Sequence, residues 1–338
     1  MCEISIIVPI YNKEYCIFNT VKCIQNQTFE DFELLLIDDG SKDRSGKICD
    51  ALSSRDARIK TFHTPNRGVS AARNLGIRKA KGKYIGFIDA DDSVDKTFLE
   101  KLYSAIKKNN ADLAVCDYYQ TKNREKTVHT YQNHHSGNAM FEIIRQDLQC
   151  IVWNKLYVRE KIKHLFDENI TLCEDSIFCA WYCQDNLPKI AYVHEVLYGY
   201  SVRRNGLTST YQKNSFDGIS KMFSINRILT EQISDVELKY LAIHHVYRAY
   251  FYGVYTFIFE NLSKGPMTKE TLARIERIIN NRRYRRVIRF VWKYALQDRR
   301  AEGTGITEYL LILFSLLKMK RGIYFVSKVR LYRTKKVL

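Results

Sequence analysis

Apolar residues in the first 120 positions follow two alternating rhythms. Short β-rich runs at residues 4–9, 32–37, 59–63, 84–88 and 111–116 are separated by stretches in which apolar residues recur at helical spacing. The spacing predicts helices over 14–25, where Ile17, Val21 and Ile24 line one face, and over 43–54, 68–79 and 99–108. Strands alternating with helices of this length predict an α/β domain, a mostly parallel sheet with helices on both faces. Leu34-Leu35-Leu36-Ile37 is apolar at every position, as expected of a strand buried on both sides.

Beyond residue 120 the pattern loosens. Residues 129–137 are polar and read as a loop, and 190–193 and 196–200 read as two short strands. From about 211 the periodicity is helical throughout, with Lys264-Gly265-Pro266 as a break. A boundary near residue 210 therefore divides an α/β domain, 1–210, from a mainly helical region, 211–338.

Composition supports folded domains: 46% of the 338 residues are hydrophobic and 27% charged, and 4 prolines and 15 glycines leave little for long flexible linkers. Nine cysteines are scattered with no CxxC pair, so they read as free thiols in a reducing cytoplasm rather than a disulfide or zinc framework. The N-terminus runs directly into a strand pattern rather than a secretory signal, and no run of 18 apolar residues occurs. The expected location is cytoplasmic. Charge changes the picture at one end. From Arg282 onward sixteen Lys/Arg face three acidic residues, which places +13 of the formal +17 in the last 57 residues.

The candidate chemistry gathers at strand ends, where ligands of such sheets sit. Asp89-Ala90-Asp91 follows the fourth strand. Paired carboxylates there suit Mg²⁺ or Mn²⁺, which take one or two protein carboxylates plus substrate phosphates and neutralise a departing diphosphate. The competing reading makes Asp92 or Ser93 the cap of the next helix. No GxxxxGK[ST] occurs and no GxGxxG follows the first strand, which argues against a P-loop or dinucleotide enzyme. Asp38 and Asp39 with Tyr11 could hold and stack a base, or Asp38-Asp39-Gly40-Ser41 could be a simple turn. Arg73 could reach phosphate or base, or lie solvated on the surface. Glu174-Asp175 opens a helical run, as a general base or as a favourably placed cap.

Together these segments resemble the family 2 glycosyltransferases of bacterial surface-polysaccharide type. The resemblance rests on Ser5-Ile6-Ile7-Val8-Pro9-Ile10-Tyr11-Asn12, Gln27-Thr28-Phe29, Leu36-Ile37-Asp38-Asp39-Gly40-Ser41-x-Asp43 and Asn66-x-Gly68-Val69-Ser70-x-Ala72-Arg73-Asn74. It continues through Gly82-x-Tyr84-Ile85-x-Phe87-Ile88-Asp89-Ala90-Asp91-Asp92, Trp153-Asn154-Lys155-Leu156 and Glu174-Asp175-Ser176-x-Phe178. It implies the GT-A fold and inverting, metal-dependent transfer of a sugar from a nucleotide-sugar, a UDP-sugar first, to a hydroxyl of a glycan or lipid-linked acceptor. By resemblance Pro9, Tyr11 and Asp39 line the base site with Arg73 beside them. Asp89 contacts the ribose, Asp91 the Mn²⁺ or Mg²⁺, and Asp92 lies near metal or donor sugar. Asp175 is the catalytic base, Glu174 and Trp153 shape the acceptor side, and Arg203 approaches the diphosphate. The chain departs from the family's pattern at Ser201, where arginine is frequent, and at Gly206, where serine is frequent.

The basic end carries apolar positions at helical spacing in 282–293 and 306–317. It reads either as amphipathic segments on an anionic membrane, next to lipid-linked acceptors, or as a packed helical subdomain with a solvated basic face. No nucleic-acid recognition fold is visible, and the oligomeric state is not written in the pattern. Two other functions share these features: a membrane-surface scaffold that has kept the fold without catalysis, and a nucleotidyltransferase, which uses the same metal logic.

Overall fold

The computed structural model describes residues 2–122, 125–131, 144, 151–186, 188–202, 215–297 and 306–336. The chain divides into two compact units, Met1–Arg204 with Ile228–Ser234, and Asn205–Arg227 with Asp235–Leu338.

The first unit is built on one nine-stranded sheet. Its elements run β1 (Ile4–Ile10), α1 (Ile17–Gln25), β2 (Phe32–Asp38), α2 (Ser45–Ser53), β3 (Ile59–His63), α3 (Val69–Lys79), β4 (Tyr84–Phe87), β5 (Ser93–Val94) and α4 (Phe98–Asn109). They continue with β6 (Leu113–Lys122), β7 (Glu125–His129), β8 (Lys155–Val158), α5 (Glu174–Asn186) and β9 (Ile190–Ser201). The strand order is β3-β2-β1-β4-β8-β6-β9-β5, with β7 paired to β6.

Period-two alternation decides which face each residue serves. Ile4, Ile6, Val8 and Ile10 of β1 join Leu34 and Leu36 of β2 in a core closed by Ile17, Val21 and Ile24 of α1 and by Phe98, Leu99, Leu102 and Ile106 of α4. Ile7 points to the other face and meets α3. That helix lies so close that a Cβ at Gly76 would run into the Ile7 side chain. Both faces are thus helix-covered, as the continuous apolar strands predict.

Orientation is mixed in a definite way. β1, β2, β3 and β4 run parallel, and β6 and β9 share their direction. β8 enters antiparallel between β4 and β6, and β5 and β7 also oppose their neighbours. Trp153-Asn154-Lys155-Leu156 leads into this inserted strand, which the period did not reveal because only four residues pair. The two short strands expected at 190–193 and 196–200 are one strand. Its register slips between Cys116 and Tyr118 of β6, so Val193 pairs Cys116 and Val196 pairs Asp117, leaving His194 and Glu195 as a bulge. Residues 125–129 form a hairpin strand with the end of β6, so the polar stretch after it begins later than read from composition.

β1 pairs β4 only through Ile7, and Ile88 still donates to the Ile7 carbonyl. Beyond that point the two strands part. Pro9, which has no N–H to give, lies past the last β4 pairing and remains paired to β2 opposite Ile37. In open α/β sheets the crevice that takes a ligand lies outside the carboxyl ends of the strands, where neighbouring strands part as β1 and β4 do here.

The second unit is helical: α6 (Ser215–Glu231, counted to it as far as Arg227), α7 (Val236–Val254), a π-helical turn at Tyr255–Phe259, α8 (Glu260–Ser263), α9 (Lys269–Ile279), α10 (Arg282–Gln297), α11 (Ile306–Leu316) and α12 (Lys320–Lys336). Asp235 caps α7 by accepting from the Leu238 amide, and Thr268 caps α9 by accepting from Thr271. The apolar stripe of α10 is interior: Tyr284, Val287, Ile288 and Val291 are buried, while Arg282, Arg286, Arg289 and Lys293 are exposed. The Tyr284 hydroxyl lies 3.0 Å from that of Ser315, and Arg285 donates to the carbonyls of Ser315 and Leu316 at the end of α11. Among the described residues no helix is long and apolar enough to cross a membrane.

Candidate active site

The loops after β1 and β2 are tied together before either reaches the crevice. Asn12 donates its amide to Ser41 Oγ and accepts from the Lys42 amide, and the Lys13 and Glu14 amides donate to Ser45 Oγ and Asp43. This is the use of Ser41 and Asp43 in the Asp-Asp-Gly-Ser-x-Asp segment. Asp38 accepts from the Ser41 amide at 3.0 Å and from His63, so its role matches the turn reading. The locked loop presents Lys13 across the crevice, where its ammonium pairs with Asp91 at 2.5 Å. Tyr11, 42% exposed, stands at the same rim, and Pro9 behind it is half-buried.

The segment after β4 is a tight turn in which the Asp92 amide donates to the Asp89 carbonyl at 3.1 Å. The Thr20 hydroxyl of α1 sits 3.0 and 2.9 Å from the Ala90 and Asp92 carbonyls and holds the turn from below. Asp92 does not cap a helix: β5 intervenes and α4 begins only at Phe98. Its carboxyl is buried, receiving the Tyr198 hydroxyl at 2.7 Å and the Ser201 amide at 2.9 Å. Burial, with Asp89 nearby, pushes it well above the usual carboxylate range. Tyr198 also accepts the Asp89 amide and stacks on Trp153.

Arg73 is the centre of the cluster and is not a surface arginine. Its α3 position rests on the turn before it. Gly68 has φ +93°, a conformation costly for other residues, and its amide and that of Arg67 both donate to the Asp39 carboxylate, at 2.7 and 2.9 Å. Asp39 thus closes the start of α3, and it is 3% exposed. One turn in, the Arg73 guanidinium reaches Asp175 at 2.5 Å, Glu174 at 3.4 Å and Asp89 at 3.1 Å, with the Phe166 ring 5.3 Å away. The guanidinium is 3% exposed and the Asp175 side chain 18%, so the carboxylate faces the crevice and the cation lies behind it.

Electrostatics follow from this packing. Burial works against the Arg73 charge, but Asp175, Asp89 and Glu174 together raise its pKa further. Burial and the adjacent Asp175 push Glu174 up to about 7, with Arg73 opposing. Asp175 is also raised, by burial and Asp89, against the lowering influence of Arg73. A carboxylate drawn toward neutrality is suited to exchange a proton near neutral pH.

The structure brings Arg73, Asp89, Glu174 and Asp175 together, with Asp91 and Asp92 on the adjoining turn. Trp153 is 4% exposed, so it does not offer its ring to a ligand. It reaches the crevice side through Tyr200, on which it stacks at 5.3 Å. Arg203 lies outside the described residues. Sequence reasoning missed Lys13 and Tyr198 as site residues. Lys13 sits outside any periodic element, and Tyr198 reads locally as strand interior.

Whether these residues fit a divalent cation depends on the donor set. Asp92 is engaged on both oxygens, Asp89 faces Arg73, and no group of three or more His, Cys, Asp or Glu among the described residues is arranged around one point. Asp91 at the crevice is the carboxylate suited to a hard cation, with phosphate oxygens completing the shell.

Comparisons with known proteins bear on the family and the fold. Glycosyltransferase EpsJ of Bacillus subtilis, itself uncharacterized, is 34% identical over 225 residues, covering 63% of this chain and 65% of EpsJ. Glycosyltransferase GlyA of Streptococcus pneumoniae is 28% identical over 259 residues, 72% of this chain and 36% of GlyA. The chain thus spans less than two thirds of the length of these relatives. Residues 1–349 of S. aureus TarS, solved with UDP-GlcNAc, match with a TM-score of 0.70 at 19% identity, over 98% of this chain and 92% of that one. The mannosyltransferase PcManGT of Pyrobaculum calidifontis, solved with GDP-Man and Mn²⁺, matches with a TM-score of 0.54 at 12% identity, over 97% and 86%. The fold is the GT-A fold that the resemblance implied. Residues 5–181 match the family described as glycosyl transferase family 2, and the chain belongs to that family.

Proposed function

We propose that the protein transfers a sugar from a nucleotide-sugar, a UDP-sugar, to a hydroxyl of a glycan or lipid-linked acceptor in surface polysaccharide synthesis, with inversion at the anomeric carbon. The observation that carries this reading is the convergence of Asp89, Glu174 and Asp175 on buried Arg73, beside Asp91, where β1 and β4 part. TarS and PcManGT were solved with UDP-GlcNAc and GDP-Man, which supports a nucleotide-sugar donor.

Tyr11 stacks the base at the crevice rim and Asp89 receives the ribose. Asp91 holds Mn²⁺ or Mg²⁺, which when bound neutralises charge on the diphosphate. Asp175 accepts the acceptor's hydroxyl proton. The acceptor oxygen forms its bond to the anomeric carbon as the bond from that carbon to the diphosphate oxygen breaks, and the nucleoside diphosphate departs with the electron pair. Arg73 holds Asp175 and Asp89 in register.

The test is product release from a panel of nucleotide-sugars with and without Mn²⁺. Free UDP supports transfer, whereas pyrophosphate indicates a nucleotidyltransferase. Asp175→Asn is expected to abolish transfer while leaving UDP binding intact, and near-normal turnover in that variant places the base elsewhere. A non-catalytic scaffold would show neither product.

A further inference from the structure

His63, the last residue of β3, bridges two carboxylates with its two ring nitrogens. Nδ1 lies 2.8 Å from Asp38 Oδ2 at the end of β2, and Nε2 lies 3.0 Å from Asp50 Oδ1 on α2. Serving both acceptors at once takes a proton on each nitrogen, so the arrangement is that of the imidazolium. Among the described residues no lysine or arginine pairs with either carboxylate, and His63 is their shared cation. The Asp38 side chain is 6% exposed and that of Asp50 62%. Asp38 gives its other oxygen to the Ser41 amide at 3.0 Å, and the Ser41 hydroxyl accepts the Asn12 amide at 3.0 Å. One chain of bonds therefore runs from His63 to the loop after β1 that carries Tyr11 and Lys13. Asn12 in that loop has φ +53°, a left-handed conformation that an unrestrained chain visits rarely, so the turn depends on the bonds that hold it. Packing at the other end of the chain is close: a Cβ at Gly46 of α2 would lie 2.8 Å from Asp38 Oδ2 and 3.3 Å from His63 Cε1.

We propose that His63 is a positioning residue for the nucleotide: as the imidazolium it fixes Asp38 and, through Ser41 and Asn12, the turn that presents Tyr11 to the base. The inference rests on the reading of Tyr11 as the base contact. The charged groups at the ring are Asp38 from β2 and Asp50 from α2. Cys49 of α2 is buried beside both, and burial with their charge pushes its thiol up to about 12, so it stays neutral; Asp43, ahead of α2, adds its negative charge there. Hydrogen bonding to Asp38, then to Asp50, raises the His63 pKa above its ordinary 6.5. The ring is therefore protonated on the acid side of that raised value and loses a proton as pH rises through it. The neutral ring has one N–H for two acceptors. The bond to Asp38 then loses its cationic donor, and a lone pair faces whichever carboxylate goes unserved.

The test is the donor KM and kcat from about pH 6 to 9, with the UDP-sugar that gives the highest turnover, in the wild type, His63→Gln and Asp50→Asn. Each variant is first checked for native circular dichroism and cooperative melting. The wild-type KM is expected to rise about threefold to fivefold as pH passes the raised His63 pKa, the difference between a charge-assisted and a neutral hydrogen bond to Asp38. His63→Gln should show the high KM at every pH, because its amide is neutral throughout. Asp50→Asn, at an exposed position, keeps the Asp38 bond and removes one of the two carboxylates. Its KM should therefore rise at a pH lower by about half a unit. A flat wild-type KM overturns the proposal, as does the same rise in His63→Gln, an unshifted rise in Asp50→Asn, or a loss confined to kcat. A wild-type KM in Tyr11→Ala would instead overturn the reading of Tyr11 as the base contact.

Discussion

The indole of Trp153 stacks on the Tyr198 ring, centroids 4.4 Å apart and planes at 22°, and the Tyr198 hydroxyl donates to Asp92 at 2.7 Å. A residue from the β8 entry thus sets the position of a carboxyl on the turn after β4 without touching it. Trp153→Ala is expected to lower the unfolding free energy by about 3–5 kcal/mol, the range for deleting a buried aromatic. Tyr198→Phe keeps the stack and removes the donor to a buried carboxyl, with an expected loss of about 1–3 kcal/mol. Urea unfolding of both variants checks the order. Equal losses would show that the hydroxyl, and not the stack, holds the turn.

Arg73 is the counter-ion of three carboxylates. Arg73→Met leaves them facing one another and is expected to cost about 3–5 kcal/mol at neutral pH. Without the cation the already raised pKa values of Glu174 and Asp175 rise further above the unfolded ones. The variant should therefore be more stable at pH 5 than at pH 8, and thermal melts at the two values read this directly. Arg73→Lys should restore little, because one ammonium cannot reproduce a fork that serves Asp175 and Asp89 from separate nitrogens.

Glu174 is pushed up from 4.5 to about 7. Between those values the folded protein binds more protons than the unfolded chain, so this group's contribution to stability is present at acid pH and is lost as pH rises through about 7. Glu174→Gln is expected to flatten the melting temperature against pH over that interval. An unchanged slope would assign the dependence to other groups.

The ion pair of Lys13 with Asp91 predicts competition with a cation. Lys13→Met is expected to bind Mn²⁺ more tightly than the wild type in the absence of nucleotide, as read by loss of the free Mn²⁺ electron paramagnetic resonance signal. Asp91→Asn is expected to bind it more weakly. The same Mn²⁺ affinity in all three proteins would remove Asp91 from the proposed metal role.

Because the apolar stripe of α10 is interior, any attachment of that helix to a membrane must be electrostatic. Flotation with phosphatidylserine vesicles at low salt is the test. Replacing exposed Arg282, Arg286, Arg289 and Lys293 by Gln removes cations worth about 1 kcal/mol each near an anionic surface. Binding should weaken by about a hundredfold or more, and neutral vesicles should not bind. Equal flotation of both proteins would exclude this face.

The sequence by itself determined the strand–helix alternation over the first 120 residues, both buried faces of β1 and β2, and the edge on which Tyr11, Asp89 and Asp91 lie. Each of these is a local pattern, and near-neighbour spacing is enough to read it. It did not reveal the insertion of β8 between β4 and β6, since four pairing residues carry no usable period. Nor could it separate Asp38 from Asp39: one closes its own loop and the other the start of α3, and the choice depends on which backbone amides fold back to each. The setting of Arg73 was decided by tertiary structure alone. Two of its partners, Glu174 and Asp175, lie more than a hundred positions away in the chain. Spacing along a chain encodes the surface a residue shares with its own element, whereas a buried charge is defined by the groups that other elements bring to it.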